Sequence, residues 1–238
     1  MTEATLIYTG KAKQLYSTAD PDVLKVVYLD QATALNGKKK VQIQGKGPVN
    51  LQISSLLFQT VAAAGIPTHY IATDNATTMR VYRCAMLPLE VVFRNFASGH
   101  FESKFQVRHL RPFSPAIHEY YYKSDTLDDP FMNDDQIKAL RIADQATLAQ
   151  LRTLTNQLNA LLTARFAKAG ITLVDGKFEF GRLSDETLVL ADELSPDNFR
   201  LVDSRTKESL DKDVFRQDEG PLVPVYEEVL RRLTESEE

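Results

Sequence analysis

One segment of the sequence constrains the fold most strongly because it places charge where a core strand is expected. Residues 174–181 read VDGKFEFG, and residues 188–197 follow as LVLADELSPD. Side chains alternate between the two faces of a strand, so Asp175, Lys177 and Glu179 share one face while the other face is apolar. The pattern predicts a strand that packs on one side and carries out chemistry on the other.

The two halves of this segment also predict a metal site. If they pair as a hairpin whose turn centres on Asp185-Glu186, Glu179 lies opposite Asp192. Two carboxylates opposed across a strand pair repel, at a cost of up to about 1 kcal/mol. A hard divalent cation between them removes that repulsion, so we expect a metal at Glu179 and Asp192. On the apolar face, Gly176 lacks a side chain, which predicts a gap in the packing.

The composition is that of an ordinary globular protein. The chain has 238 residues, of which 43% are hydrophobic and 25% charged. We expect a cytoplasmic protein with no membrane partner, because no basic region precedes an apolar run at the N-terminus and no apolar run approaches the roughly 20 residues of a membrane span. The net charge of −4 argues against nucleic-acid binding but allows anionic small ligands. The single cysteine, Cys84, excludes an internal disulfide framework and is expected to pack in the core.

The order of the apolar patterns predicts an α+β fold with two lobes and a cleft between them. Short β-type runs and Gly-rich turns dominate residues 1–87 and predict a small antiparallel lobe, and residues 88–238 form the second, α+β lobe. Helical spacing and β-type residues predict helices over about 49–64, 145–169 and 223–233 and a strand over 89–94.

Three basic segments are candidates for anion binding. Gly10-Lys11-Ala12-Lys13 joins two β-type runs, Gly45-Lys46-Gly47-Pro48 precedes a helix, and Arg94-Asn95 ends a strand. Glycine allows a phosphate to approach the backbone, and the basic side chains neutralise its charge. Each segment also has an ordinary interpretation: a surface hairpin, a helix start and a surface ion pair. The basic run after the Asn36-Gly37 turn is interpreted as a solvated loop.

Further basic residues lie close in sequence to acidic ones. Lys123 precedes the turn Asp128-Asp129-Pro130, and Arg200 and Arg216 follow the acidic strand. An anion-binding rim beside a carboxylate pair suited to a metal is the equipment for phosphoryl transfer from a nucleotide.

Together, these motifs resemble the SAICAR synthetase family in order and spacing over nearly the whole chain. They are Gly10 to Lys13, Arg94-Asn95, Lys123 with Asp129-Pro130, Lys177 to Gly181, Asp192 to Asp197, and Asp211 to Arg216. The resemblance implies an ATP-dependent ligase of purine biosynthesis, which joins the carboxylated aminoimidazole ribotide CAIR to L-aspartate and releases SAICAR, ADP and phosphate. It also implies an acyl phosphate intermediate, Mg²⁺ on the phosphates, a homodimer, and a nucleotide cleft similar to that of protein kinases and ATP-grasp proteins.

By position, the resemblance implies roles for twelve residues. Lys11, Lys13 and Lys123 contact ATP; Glu179 and Asp192 hold Mg²⁺ in the nucleotide site; Asp175 and Lys177 face the reacting centre; and Arg94, Ser98, His100, Arg200 and Arg216 bind CAIR and aspartate. Residues 1–87 then form the nucleotide-binding lobe, and residues 88–238 carry the metal and substrate sites.

Departures from the family pattern concern the acceptor side more than the ATP side. Ser98-Gly99-His100 stands where the family usually has Ala-Gly-Ser, and Gly176 and Phe178 replace a usual Phe and Leu. Two alternatives therefore stay open: a paralogous ligase that joins another carboxylate to another amine, and a nucleotide-binding regulator without turnover. ADP release that requires both CAIR and aspartate distinguishes the three.

Overall fold

The structure is a computed structural model that describes residues 4–34 and 39–236. The centre of the Asn36-Gly37 turn, residues 35–38, lies outside the described residues. The strands are β1 (Leu6–Thr9), β2 (Lys13–Ser17), β3 (Val23–Tyr28), β4 (Gln31–Ala34), β5 (Lys39–Gln42), β6 (Tyr70–Asn75), β7 (Thr78–Tyr82), β8 (Ala85–Phe96), β9 (Pro112–Tyr122), β10 (Phe131–Met132), β11 (Ile171–Arg182), β12 (Leu188–Ala191) and β13 (Phe199–Asp203). The helices are α1 (Lys46–Ala63), α2 (His100–Phe105), α3 (Asp134–Ala139), α4 (Gln145–Lys168), α5 (Asp213–Arg216) and α6 (Leu222–Glu235).

Antiparallel sheets organise the described residues and confirm the predicted α+β class. One sheet has the order β1-β2-β3-β7-β6, and a second has the order β10-β9-β8-β11-β12 with β13 also paired to β11. Strands β4 and β5 form a separate pair. The first sheet comes from residues 6–82 and the second from residues 85–203. The predicted boundary between residues 87 and 88 falls inside β8 and stays a prediction.

The three predicted helices are present as α1, α4 and α6, with small differences at their ends. Helix α4 begins after Asp144, whose side chain accepts a hydrogen bond from the Thr147 amide at 2.8 Å. It ends before Gly170, whose φ of 68° suits a helix end. Buried side chains of both large sheets and of these helices belong to one hydrophobic cluster. Among the helices that the structure describes, none combines the length and the apolar character that crossing a membrane requires.

The pairing of β11 corrects the predicted hairpin register by one residue. Glu179 pairs with Ala191, so the prediction that Glu179 lies opposite Asp192 is wrong. Strand β12 ends at Ala191, and Asp192 follows with a left-handed φ of 63°. Because Asp192 no longer follows strand alternation, its carboxylate still reaches the cavity that Glu179 lines.

The predicted packing gap at Gly176 is also absent. Gly176 pairs with Phe199 on β13, and an added Cβ would lie 2.4 Å from the Cδ1 atom of that ring. Phe199 is only 2% exposed and packs with Phe93, Phe166 and Phe178. A neighbouring strand thus supplies the aromatic ring, which the alternation within β11 cannot reveal.

Candidate active site

A cavity of about 480 Å³ opens along the polar face of β11. Ten of the twelve predicted site residues line it: Lys11, Lys13, Arg94, Lys123, Asp175, Lys177, Glu179, Asp192, Arg200 and Arg216. The two large sheets both contribute, through β2 on one side and β8, β11 and β13 on the other. The residues predicted from separate motifs therefore share one site.

Lysines surround Glu179 at one end of this face. Glu179 is 1% exposed and forms ion pairs with Lys177, at 3.0 Å, and with Lys123. Lys177 also contacts Glu90 on β8. Burial lowers the pKa of Lys177, but the carboxylates of Glu179 and Glu90 outweigh burial and hold it above its usual range. Lys177 is therefore a fixed cation in the cavity wall.

Lys13 links the first sheet to Asp192. Its Nζ atom lies 2.5 Å from Asp192 Oδ1 and 3.0 Å from Glu193 Oε1, and Asn198 donates a hydrogen bond to Asp192 Oδ2 at 3.0 Å. Burial raises the pKa of Asp192, but the nearby lysines, Lys13 first, reverse that effect and hold it below its usual range. Asp192 is thus an anion held among cations. Lys11, in the turn between β1 and β2, pairs with Asp125 at 2.7 Å.

Arginines surround Asp175 at the other end of the face. Arg94, which pairs with Asp175 in the β8–β11 ladder, donates to Asp175 Oδ2 at 2.7 Å and also contacts Glu119 at 2.9 Å. Arg200 lies 3.1 Å from Asp175 Oδ2 and 2.9 Å from Asp213. Asp175 therefore holds two guanidinium groups at the cavity wall, a geometry that recognises carboxylates and phosphates.

Arg216 lies near this arginine end. It contacts Asp213, which also accepts a hydrogen bond from Arg200. Asp213 therefore links Arg200 of β13 to Arg216 of α5 through an ion pair with each. The third predicted arginine thus lies in the same group as the other two.

Ser98 and His100 are the two predicted residues that do not line this cavity. Ser98 is buried and lines a neighbouring cavity that also contains Arg200, and His100 is exposed at the start of α2. The glycine between them approaches the site more closely: a Cβ on Gly99 would lie 2.6 Å from Arg200 Nη2. Their roles stay predictions.

The structure adds residues that the motifs do not reveal. Glu90, Glu119 and Asn198 each contact a predicted site residue. A signal for Glu90 is present in the sequence, because Glu90 and Arg94 lie an even number of residues apart on one strand and both line the cavity. No local pattern indicates Glu119, which reaches Arg94 only because β8 pairs with β9.

Comparisons with known proteins agree with this site. The family model for SAICAR synthetase matches residues 6–233. A phosphoribosylaminoimidazole-succinocarboxamide synthase from Lacticaseibacillus paracasei is 63% identical over 235 residues, which cover 99% of this chain and 98% of that protein. The chain belongs to the SAICAR synthetase family. The predicted family resemblance and the ligase class are thereby confirmed.

Solved structures of this family share the fold. The phosphoribosylaminoimidazole-succinocarboxamide synthase of Ehrlichia chaffeensis superposes with a TM-score of 0.95 at 38% identity, covering 97% of this chain and 98% of that one. A SAICAR synthetase in complex with ADP has a TM-score of 0.93 at 39% identity, and the match covers 98% of this chain and 97% of that one. In both comparisons the structural similarity extends over nearly the whole length of the two chains.

Proposed function

We propose that this chain condenses CAIR with L-aspartate at the expense of ATP, giving SAICAR, ADP and phosphate, in the cavity along β11. One observation supports the proposal most strongly: lysine and arginine side chains occupy different ends of the cavity along β11. Lysines surround Glu179 and Asp192 at one end, and arginines surround Asp175 at the other. The name of the Lacticaseibacillus relative and the ADP complex of a structural neighbour support the same assignment.

The length of β11 separates a nucleotide end from an acceptor end. Asp175 and Glu179 are four residues apart, which corresponds to about 13 Å along a strand. Lys177 lies between them with its ammonium group at the cavity wall. This position allows Lys177 to contact a phosphoryl group as it passes from one end to the other. The lysine end is thus assigned to ATP and the arginine end to the anionic groups of CAIR and aspartate.

The residues at the nucleotide end fit a magnesium ion. Mg²⁺ is usually held by one or two carboxylates together with substrate phosphates, and Glu179 and Asp192 supply two carboxylates. No group of three or more His, Cys, Asp or Glu side chains in residues 4–34 and 39–236 is arranged to hold a metal unaided. The cavity wall has as many acidic as basic side chains, so a polyphosphate needs a further cation. When bound, Mg²⁺ would neutralise phosphate charge during the transfer.

The proposed reaction has two steps. A carboxylate oxygen of CAIR attacks the γ-phosphorus of ATP, and the bond from that phosphorus to the β,γ-bridging oxygen breaks. ADP is released, and the phosphorylated carboxylate is an acyl phosphate. The amine of aspartate, as the free base, attacks the acyl carbon; the bond to the phosphate oxygen breaks, phosphate leaves, and the nitrogen loses a proton. Lys177 and Lys13 stabilise charge on the transferring phosphoryl group, while Arg94 and Arg200 orient the acceptors.

The same proposal includes the predicted two-lobed arrangement. Residues 1–87 form the nucleotide-binding lobe and residues 88–238 the lobe with the metal and acceptor sites. Its support is that both large sheets line the cavity, with Lys13 on one and Lys177 on the other.

Light scattering tests the homodimer that the family resemblance implies, and localisation of a tagged chain tests the cytoplasmic assignment.

An ADP-release assay with each substrate omitted in turn tests the function. We expect release to require ATP, CAIR and aspartate together. Replacing Lys177 with methionine should lower kcat about 100-fold or more, because one preorganised charge donor is lost. Lys168→Met is the matched control, since Lys168 is exposed at the end of α4. Release that does not depend on aspartate would contradict the proposed acceptor pair.

A further inference from the structure

Lys212 lines the same cavity and has no part in the reaction described so far. It directly precedes α5, and its side chain is only 11% exposed. It lines the cavity together with Arg200 and Arg216, and the charge of Arg216 acts on it. Its ion-pair partner is Asp197, with Nζ and Oδ2 3.7 Å apart. The two atoms are too far apart for a hydrogen bond, so Asp197 attracts the Lys212 ammonium group without occupying its N–H donors.

Asp197 is already neutralised from the protein interior. Lys46, the first residue of α1, lies 2.7 Å from the same Oδ2 atom, and the Tyr226 hydroxyl of α6 donates to Oδ1 at 2.5 Å. Lys46 is 1% exposed and Tyr226 is fully buried, and neither lines the cavity. The directly contacting groups thus comprise one carboxylate and two ammonium groups, which is an excess of one positive charge, and Glu193 adds only a weaker attraction to Lys212.

The surroundings of Lys212 make this excess charge unfavourable without a ligand. Burial lowers the pKa of Lys212, and repulsion by Lys46 and Arg216 adds to that effect against the attraction of Asp197 and Glu193. Arg216 follows four residues later, which corresponds to about one helical turn. A buried charge without full compensation is costly, and an anion among these groups supplies the compensation.

We propose that Lys212 binds an anionic group of an acceptor substrate, a carboxylate or a phosphate, and that Lys46 and Tyr226 position it through Asp197. This inference rests on the proposed function and adds a substrate-binding residue to it. It also assigns a role to Gly45-Lys46-Gly47-Pro48, the helix-start segment considered for anion binding. Lys46 acts from the interior, where it frees the charge of Lys212 for the ligand.

Steady-state kinetics of Lys212→Met test the contact. Losing one charge-assisted hydrogen bond should raise the KM for CAIR or for aspartate about 10- to 100-fold. The KM for ATP should stay within about twofold, since the change removes no contact at the nucleotide end. Lys212→Arg should recover part of the loss, and Lys168→Met is again the control. A rise for CAIR alone assigns the anion to the ribotide, and a rise for aspartate alone assigns it to the amino acid. Unchanged acceptor constants, or an equal rise for ATP, would overturn the proposal.

Tyr226→Phe tests the positioning role because it removes only the hydroxyl that holds Asp197. We expect the same acceptor KM to rise by a smaller factor, about three- to tenfold, with the KM for ATP unchanged. An unchanged acceptor KM would overturn the positioning role. Thermal unfolding without ligand checks that each variant is folded.

A binding measurement separates this inference from the proposed function. CAIR or aspartate alone should raise the thermal midpoint of the wild-type protein, and Lys212→Met should reduce that shift. Equal shifts in both proteins, or no shift in the wild type, would overturn the role of Lys212. Absence of ADP release in the wild type would instead overturn the proposed function.

Discussion

The contact between Gly176 and Phe199 predicts a strong coupling between these two positions. A Cβ at position 176 would lie 2.4 Å from the Phe199 ring and 3.1 Å from the Asn198 carbonyl oxygen. The ring cannot move freely, because it packs against Phe93, Phe166 and Phe178. Overpacking a core in this way costs about 1–3 kcal/mol.

The size of the effect follows from two opposing contributions. Alanine restricts the unfolded chain more than glycine does, which offsets about 0.4–1 kcal/mol of the overpacking. The net destabilisation of Gly176→Ala is therefore about 1–2 kcal/mol. For a chain of this size, each kcal/mol lowers the thermal midpoint by about 2–4 °C, so we expect a decrease of roughly 2–8 °C.

A double-mutant cycle measured by urea unfolding tests this reasoning. Phe199→Leu shortens the group that meets the new Cβ, so Gly176→Ala should be neutral or stabilising in that background. The coupling energy should be at least about 1 kcal/mol. Equal effects of Gly176→Ala in the two backgrounds would refute the argument, because they would show that the methyl group and the ring do not meet.

Three further predictions concern binding, pH and metal. Arg94→Lys should weaken CAIR binding about tenfold or more without affecting ATP binding, because one ammonium group cannot replace the guanidinium that contacts both Asp175 and Glu119; equal CAIR affinity in calorimetry would contradict this role. Burial lowers the pKa of His69 to about 3, so between that value and the unfolded pKa of about 6.5 only the unfolded chain gains the proton. The free energy of unfolding therefore decreases as the pH falls through this window. The His69→Phe variant should avoid about 2 kcal/mol of the loss between pH 7 and pH 5, and equal losses in urea unfolding would show that His69 is not responsible. Chelation with EDTA should abolish ADP release and added MgCl₂ should restore it; full activity in EDTA would exclude the magnesium site.

Local patterns in the sequence predicted much of the fold. Apolar spacing predicted α1, α4 and α6, because each buries one continuous set of side chains. Alternation predicted the two faces of β11, since successive strand side chains point in opposite directions. The motif order also placed ten residues that the structure brings to one cavity.

The failures share one physical cause, which is that the partner of a residue comes from another part of the chain. The register of β11 with β12 differs by one residue from the predicted hairpin, and the left-handed conformation of Asp192 compensates for that shift. Ser98 and His100 lie outside the cavity that the other ten predicted residues line, and Gly99 lies against Arg200 instead; their roles in substrate binding stay predictions.

The sequence by itself determined the α+β class, the polar face of β11 and the family, because these depend on periodicity and on motifs read along the chain. Only the tertiary structure decided which charges pair and which side chains fill the space beside Gly176. It also decided that Lys46 and Tyr226 neutralise Asp197 behind the cavity wall. Burial and ion pairing depend on distances between segments far apart in sequence, and those distances exist only after the strands and helices have packed.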